Sequence, residues 1–177
     1  SIDGDSHLGG GDIDRIIVRW IADQYKKESG IDVTKDPLAH QRLREAAEKA
    51  KHELSTTLEL EINIPFITSD ATGPKHLLMK MSRATLESLT KELIDRSIEI
   101  TKRALAASPF KMNEINEIIM VGGQTRMPRI VQAVKELFGN TRGCSHLTEM
   151  LMYLPTVALQ SFASEVADNE DTGLKPY

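Results

Sequence analysis

The 177-residue chain has 40% hydrophobic and 27% charged residues, a composition typical of a soluble globular protein with one substantial core. Its net charge of -4 comes from acidic and basic residues mixed along the chain, so no basic block predicts nucleic-acid binding. The single cysteine excludes an internal disulfide, no Cys and His spacing matches a zinc site, and no signal peptide or membrane span is predicted, so a cytoplasmic location is expected.

Two amphipathic helices are predicted in the first third of the chain. Asp12 is expected to cap the first helix, which ends at Gly30. Its apolar face comprises Ile13, Ile16, Ile17, Trp20 and Ile21. Asp36 and Pro37 form an N-cap and first-turn pair for the second helix. Its apolar face comprises Leu43, Ala46, Ala47, Ala50 and Leu54.

An antiparallel hairpin is predicted from Leu58 to Met81, because the apolar pattern changes there to a period of two. The first strand turns Leu58, Leu60, Ile62, Ile64 and Phe66 to one face, and the second does the same with Leu77, Met79 and Met81. Asp70, Gly73 and Pro74 supply the turn between them. Pro65 indicates an edge strand or a bulge.

A long helix, a buried strand and a further helix are predicted next, which together indicate an α/β fold. Ser82 caps the long helix, which ends near Ser108. Its apolar stripe comprises Leu86, Leu89, Leu93, Ile100 and Ala104. Residues 118–121 form a fully buried strand, and Pro128 opens a helix that Gly139 closes. Its inward side chains are Ile130, Val131, Val134 and Leu137.

The second helix carries a polar group that is suited to a nucleoside. Glu48, Lys51 and Ser55 are three and four residues apart, so they project from one stripe. A carboxylate can accept two sugar hydroxyls, while an ammonium can donate to a ring nitrogen or a phosphate. The spacing alone favours the alternative, which is a solvated flank with an ordinary Glu and Lys pair.

A diglycine bend lies between the buried strand and the last helix. Gly122 and Gly123 let the main chain approach a ligand, and Arg126 can lay its flat guanidinium against an aromatic base. A tight strand-to-helix turn is an equally good interpretation of the geometry. Gly9–Gly11 lacks a dinucleotide fingerprint and indicates a hinge or turn, and the scattered histidines and Cys144 predict neither a catalytic residue nor a metal ligand.

Four segments together resemble the nucleotide-binding domain of the seventy-kilodalton heat-shock chaperones, and the bacterial DnaK type is matched best. In order, they are GDSHLGG at 4–10, QRLREAAEKAK with ELS at 41–55, DATGPKH at 70–76 and IMVGGQTRMP at 119–128. The resemblance covers roughly residues 3–139. It implies the second lobe of an actin-like ATPase domain, with an outer subdomain at 1–81 and part of the inner one at 82–139. Residues 140–177 are expected to be a divergent and partly disordered tail, whether native, fused or frame-shifted.

The resemblance also implies ATP or ADP as the ligand. The positions that match the family's nucleotide contacts are Glu48, Lys51, His52, Ser55, Gly122, Gly123, Gln124, Arg126 and Met127. Among them the resemblance assigns adenosine contacts to Glu48, Lys51 and Ser55, and stacking beside the base to Arg126. The segment begins after the family's phosphate loops and its catalytic and magnesium-associated groups, so it is not expected to hydrolyse ATP alone.

The partners that the resemblance implies are nucleotide-exchange factors and J-domain co-chaperones, while client proteins would bind only through domains outside this segment. The first helix and the hairpin would form the exchange-factor docking surface. Two alternatives stay open: an interaction module without nucleotide, and a truncated product with no function of its own. Poor folding would favour the truncated product, and it is expected if the strand at 118–121 is left unpaired.

Overall fold

The structure is a computed structural model that describes residues 1–5, 8–70, 73–115, 117–139 and, through the backbone, 144–146. The chain divides into two compact units. One unit comprises residues 12–91, and the other comprises residues 1–11 together with the chain from residue 92 onward. Helices and strands occur in both units, so the predicted α/β class is confirmed.

Two helices form the first half of the 12–91 unit. Helix α1 spans Gly10–Ser29 and helix α2 spans Pro37–Glu53, with a short 3₁₀ turn at Val33–Lys35 between them. The predicted cap of α2 is confirmed, because Asp36 accepts a hydrogen bond of 2.9 Å from the amide of Leu38. The predicted Asp12 cap of α1 is wrong, since the helix begins two residues earlier and Asp12 lies in its first turn.

The core of these helices follows the predicted apolar faces with a small rotation. In α1, Ile13, Ile17 and Ile21 are buried, while Ile16 and Trp20 are half-buried. The side chains buried along α1 are Ile13, Ile17, Val18, Ile21, Ala22 and Tyr25. In α2 the buried apolar residues are Ala39, Leu43, Ala47 and Ala50, and Leu54 is buried at the C-cap. The observed buried faces differ from the predicted ones because a helical period shows which residues share a face. It does not show which of them contact the neighbouring elements.

The hairpin is confirmed and carries a bulge. Strand β1, Glu59–Asp70, pairs antiparallel with strand β2, Gly73–Ser82, and Ile64 lies opposite Leu77. The next pair is Thr68 with Lys75, so residues 65–67 lie opposite His76 alone. We call residues 65–67 the β1 bulge. It confirms the bulge that Pro65 predicted.

The bulge changes which side chains of β1 are buried. Ile62, Ile64 and Ile67 are buried, whereas Phe66 is 60% exposed. The prediction that Phe66 lies on the buried face is therefore wrong, because simple alternation ends at the bulge. Leu58 is also exposed, since it precedes the first pair of the hairpin.

Helix α3 spans Arg83–Ala106 and begins at the predicted cap, where the hydroxyl of Ser82 accepts a hydrogen bond of 3.1 Å from the amide of Thr85. It ends two residues before the predicted Ser108. Leu86, Ile100 and Ala104 are buried as predicted, while Leu89 and Leu93 are only half-buried. The other buried side chains of this helix are Thr90, Ile94, Ser97 and Thr101. Each buried hydroxyl donates to a carbonyl of its own helix, which satisfies it without a distant partner.

A strand, helix and strand follow in the other unit. Strand β3, Ile118–Met120, pairs in parallel with strand β4, Cys144–His146, and helix α4, Pro128–Phe138, lies between them in sequence. Strand β3 is therefore paired, so the condition under which poor folding was expected is not met. Val121 is exposed and lies outside the strand, so the predicted strand at 118–121 was one residue too long and not fully buried.

Helix α4 begins at Pro128 and is followed by Gly139, as predicted, and Gly139 has a φ of 70°. Ile130 and Val134 are buried as expected, but Val131 and Leu137 are half-buried. Ala133 and Phe138 complete the buried face instead. None of the helices in the described part of the chain is long and apolar enough to cross a membrane.

Candidate functional site

The polar flank of α2, which comprises Glu48, Lys51, His52 and Ser55, lies at the C-terminal end of that helix. Glu48 and His52 are one turn apart and exposed. Ser55 follows the helix, is half-buried, and donates a hydrogen bond of 3.2 Å to the carbonyl of Lys51. The structure therefore brings the four residues together, with a carboxylate and an imidazole available at the surface.

Lys51 departs from the predicted solvated flank, because its side chain is only 3% exposed. Its ammonium Nζ lies 3.0 Å from each carboxylate oxygen of Asp14 on α1. Burial of an ammonium is unfavourable without an opposite charge, and this carboxylate supplies one. The ion pair fixes the end of the Lys51 side chain against α1, while Glu48 and His52 are exposed on α2.

Asp14 is a site residue that sequence reasoning missed. It lies 37 residues before Lys51 in the chain. Its position next to Ile13, at the border of the apolar face of α1, is the only local signal, and many helices have an acidic residue there. No spacing rule within a helix can predict a partner on another helix.

The diglycine turn, residues 122–127, connects β3 to α4. Gly122 has a φ of 101°, a conformation that favours glycine. Residues 123–126 form one turn of 3₁₀ helix, and the amide and hydroxyl of Thr125 donate to the Gly122 carbonyl at 3.1 Å and 2.6 Å. Thr125, which sequence reasoning did not select, therefore holds the turn closed.

The predicted residues of this turn differ in accessibility. Gly122, Gly123 and Arg126 are exposed, whereas Gln124 and Met127 are buried. The main chain of the two glycines and the guanidinium of Arg126 can therefore meet a ligand directly. Gln124 and Met127 support the turn from beneath.

The predicted nucleotide contacts are divided between the two units. The polar flank of α2 belongs to residues 12–91, and the diglycine turn belongs to the other unit. Within each unit the structure groups the residues that the sequence grouped.

A cavity of 410 Å³ lies between α2 and β1, away from the polar flank of α2. Its lining residues are Arg42, Glu45, Ala46, Lys49, Asn63, Ile64, Pro65 and Phe66. None of them is a predicted nucleotide contact. Among the described residues no group of three or more His, Cys, Asp or Glu side chains is arranged to hold a metal ion.

The fold class fits a segment of an actin-like ATPase domain. A model of the Hsp70 protein family matches residues 1–147. Because this match covers well over half of the 177 residues, the chain belongs to the Hsp70 protein family, whose members are chaperones that bind ATP or ADP. The match extends to residue 147, beyond residue 139, where the sequence resemblance was expected to stop, and it includes β4.

Proposed function

We propose that the chain is a DnaK-type segment from the second lobe of the chaperone ATPase domain and contributes adenosine contacts to ATP or ADP binding. One observation carries the proposal: Glu48 and His52 are exposed one turn apart on α2, so one ligand can reach both side chains. Glu48 would accept hydrogen bonds from the ribose hydroxyls. Lys51 is buried and paired with Asp14, so it would act by holding the end of α2 against α1. His52 would lie against the base.

The diglycine turn carries a second group of proposed nucleotide contacts, within the other unit. Its exposed glycine main chain permits close approach of the nucleotide, and the exposed guanidinium of Arg126 would stack on the adenine. Gln124 and Met127 would act by keeping the turn in shape, since both are buried.

Titration of the 177-residue chain with fluorescently labelled ADP tests the proposal. We expect Glu48→Gln and Arg126→Ala each to weaken binding by about tenfold, which corresponds to the loss of one good polar or stacking contact of roughly 1.4 kcal/mol. Glu28→Gln and Arg19→Ala are matched controls, because both residues are exposed on α1. Absence of binding at millimolar ADP, or equal losses in the controls, would disprove the nucleotide assignment.

A second function, docking of a nucleotide-exchange factor on α1 and the hairpin, is favoured by apolar side chains that the hairpin exposes. Phe66 is 60% exposed and Leu78 is 58% exposed. Large apolar side chains that a hairpin exposes favour a protein contact on that hairpin. J-domain co-chaperones are proposed partners on family grounds alone.

Binding of a purified DnaK-type exchange factor to the immobilised chain tests this second function. Leu78→Asp should reduce the binding at least tenfold and leave ADP affinity unchanged. Glu92→Gln, an exposed change on α3 outside the proposed docking surface, is the control for general surface effects. Full binding by Leu78→Asp would exclude the hairpin as the docking surface.

A further inference from the structure

The β1 bulge contains an unusual backbone conformation. Phe66 has a φ of 54°, the only positive value of a non-glycine residue in the described part of the chain. A bulky L-residue in this region costs about 1–2 kcal/mol, so surrounding contacts must hold it there.

Two side chains bind the main chain of Phe66. From α2, Nη1 of Arg42 donates hydrogen bonds of 2.8 Å to the Phe66 carbonyl and 3.3 Å to the Pro65 carbonyl. From β2, Nδ1 of His76 accepts a hydrogen bond of 3.1 Å from the Phe66 amide. The two rings also meet edge to face, with 4.7 Å between their centroids.

The hydrogen bond from Phe66 requires one protonation state of His76. Nδ1 can accept only when its lone pair is free, which means a neutral imidazole with its proton on Nε2. An imidazolium ring has a proton on both nitrogens and can only donate. Imidazole side chains commonly exchange this proton between about pH 5 and 8.

We propose that His76 makes the β1 bulge sensitive to pH. The neutral ring holds Phe66 in its positive-φ conformation. When Nδ1 takes up a proton, its N–H bond points at the Phe66 N–H, and the contact becomes repulsive. Phe66 then loses one of its two side-chain clamps and returns to an extended conformation, which moves its ring.

The charged groups around the bulge come from α2 and from the hairpin itself. On α2, Arg42, Glu45 and Lys49 line the same cavity as Phe66. On the hairpin, Lys75 precedes His76 in the sequence. Lys80 forms an ion pair with Glu59, and both residues lie in the paired part of the strands before the bulge. Arg42 is thus the cation that binds the same residue as His76, and a second positive charge there would weaken the clamp further.

The consequence is a change in the wall of the α2–β1 cavity. Pro65 and Phe66 form one side of this 410 Å³ space, so a movement of their main chain alters its shape. The pH response of the β1 bulge does not depend on the nucleotide contacts proposed for Glu48 or Arg126.

Proton and nitrogen NMR of the labelled 177-residue chain between about pH 8 and 5 tests the inference. The Phe66 amide proton should move upfield with the same midpoint as the ring protons of His76. Its protection from hydrogen exchange, corrected for the intrinsic rate at each pH, should fall by about two- to tenfold, as expected for one net hydrogen bond.

Two variants separate this pH response from a general effect of acid. His76→Phe keeps an aromatic ring but removes the acceptor, so the Phe66 amide should no longer respond to pH. His40→Gln changes an exposed histidine on α2 and should preserve the response. A Phe66 amide that stays still while the His76 ring titrates, or that responds equally in His76→Phe, would overturn the inference. The wild-type midpoints decide the matter alone if His76→Phe fails to fold.

Discussion

Lys51 and Asp14 form an ion pair between α2 and α1 in which the two charges are unequally buried. The side chain of Lys51 is 3% exposed and that of Asp14 is 19% exposed. Loss of the partner should therefore cost more free energy for the ammonium than for the carboxylate, because the Asp14 side chain is the more exposed of the two.

This inequality predicts different costs for removing each partner. Asp14→Ala leaves a buried ammonium and should lower the free energy of unfolding by about 2 kcal/mol, less than the roughly 3–5 kcal/mol of a fully buried pair. Lys51→Met leaves a partly hydrated carboxylate and should cost less. Urea denaturation at neutral pH measures both changes.

The exposed pair of Glu99 and Lys102 on α3 provides the control for the Lys51 pair. Both side chains are more than half exposed, so Glu99→Ala should change stability by no more than about 0.5 kcal/mol. An Asp14→Ala variant that is no less stable than Glu99→Ala would show that the buried pair does not stabilise the two helices.

The sequence predicted most reliably those elements whose signals are local. Asp36 and Pro37 marked the start of α2, and Ser82 marked the start of α3, because a capping side chain acts within one helical turn. The burial of Phe66 was predicted wrongly for the opposite reason. Its conformation depends on Arg42, 24 residues before it, and on His76 across the hairpin, and no local pattern contains those contacts.

The candidate site shows the same division. The resemblance alone added His52, whereas helical spacing grouped Glu48 with Lys51 and Ser55 on one stripe of α2. Helical spacing could not show that Lys51 is buried, because that depends on the distant Asp14. The assignment to adenosine came from the resemblance of several segments together, and spacing alone favoured an ordinary solvated flank.

The positive φ of Phe66 predicts an unusual preference for glycine. Phe66→Gly should be more stable than Phe66→Ala by about 1 kcal/mol, because alanine keeps the steric cost of this conformation and glycine does not. Leu78 is a matched strand position, exposed to a similar degree but without positive φ. There the order should reverse, with alanine more stable than glycine, and denaturant unfolding of the four variants measures both differences. Alanine more stable than glycine at residue 66 would contradict the backbone assignment.

The Asp36 cap predicts a simple change in stability. Asp36→Ala removes the acceptor for the Leu38 amide and should lower the free energy of unfolding by about 1 kcal/mol. Asp36→Ser retains an oxygen that can cap the helix and should recover most of the loss. Thermal unfolding followed by circular dichroism compares the three proteins, and equal destabilisation by alanine and serine would show that the carboxylate acts in some other way.

Asp32 predicts how stability depends on pH. Hydrogen bonds from the Thr34 hydroxyl and amide and from the Lys26 ammonium hold the pKa of Asp32 well below its usual 3.8. Because folding lowers the pKa of this carboxyl, the unfolded chain binds the proton more readily than the folded chain does. The stabilisation from Asp32 is therefore present above pH 3.8 and is lost as the pH falls through the folded-state pKa. The hydrogen bond between Lys26 and Asp32 and the charge of that carboxylate raise the pKa of Lys26 above 10.5. The stabilisation from Lys26 is therefore complete below pH 10.5 and is lost as the pH rises through the folded-state pKa.

Two variants separate the Asp32 contacts. Asp32→Asn should flatten the fall in stability between about pH 5 and 2, because the group that takes up the proton is gone. Lys26→Met leaves both hydrogen bonds from Thr34, which are the larger cause, so most of the acid dependence should remain. Urea unfolding at a series of pH values measures each slope. A Lys26→Met slope as flat as that of Asp32→Asn would mean that the ammonium, and not Thr34, dominates the lowered pKa.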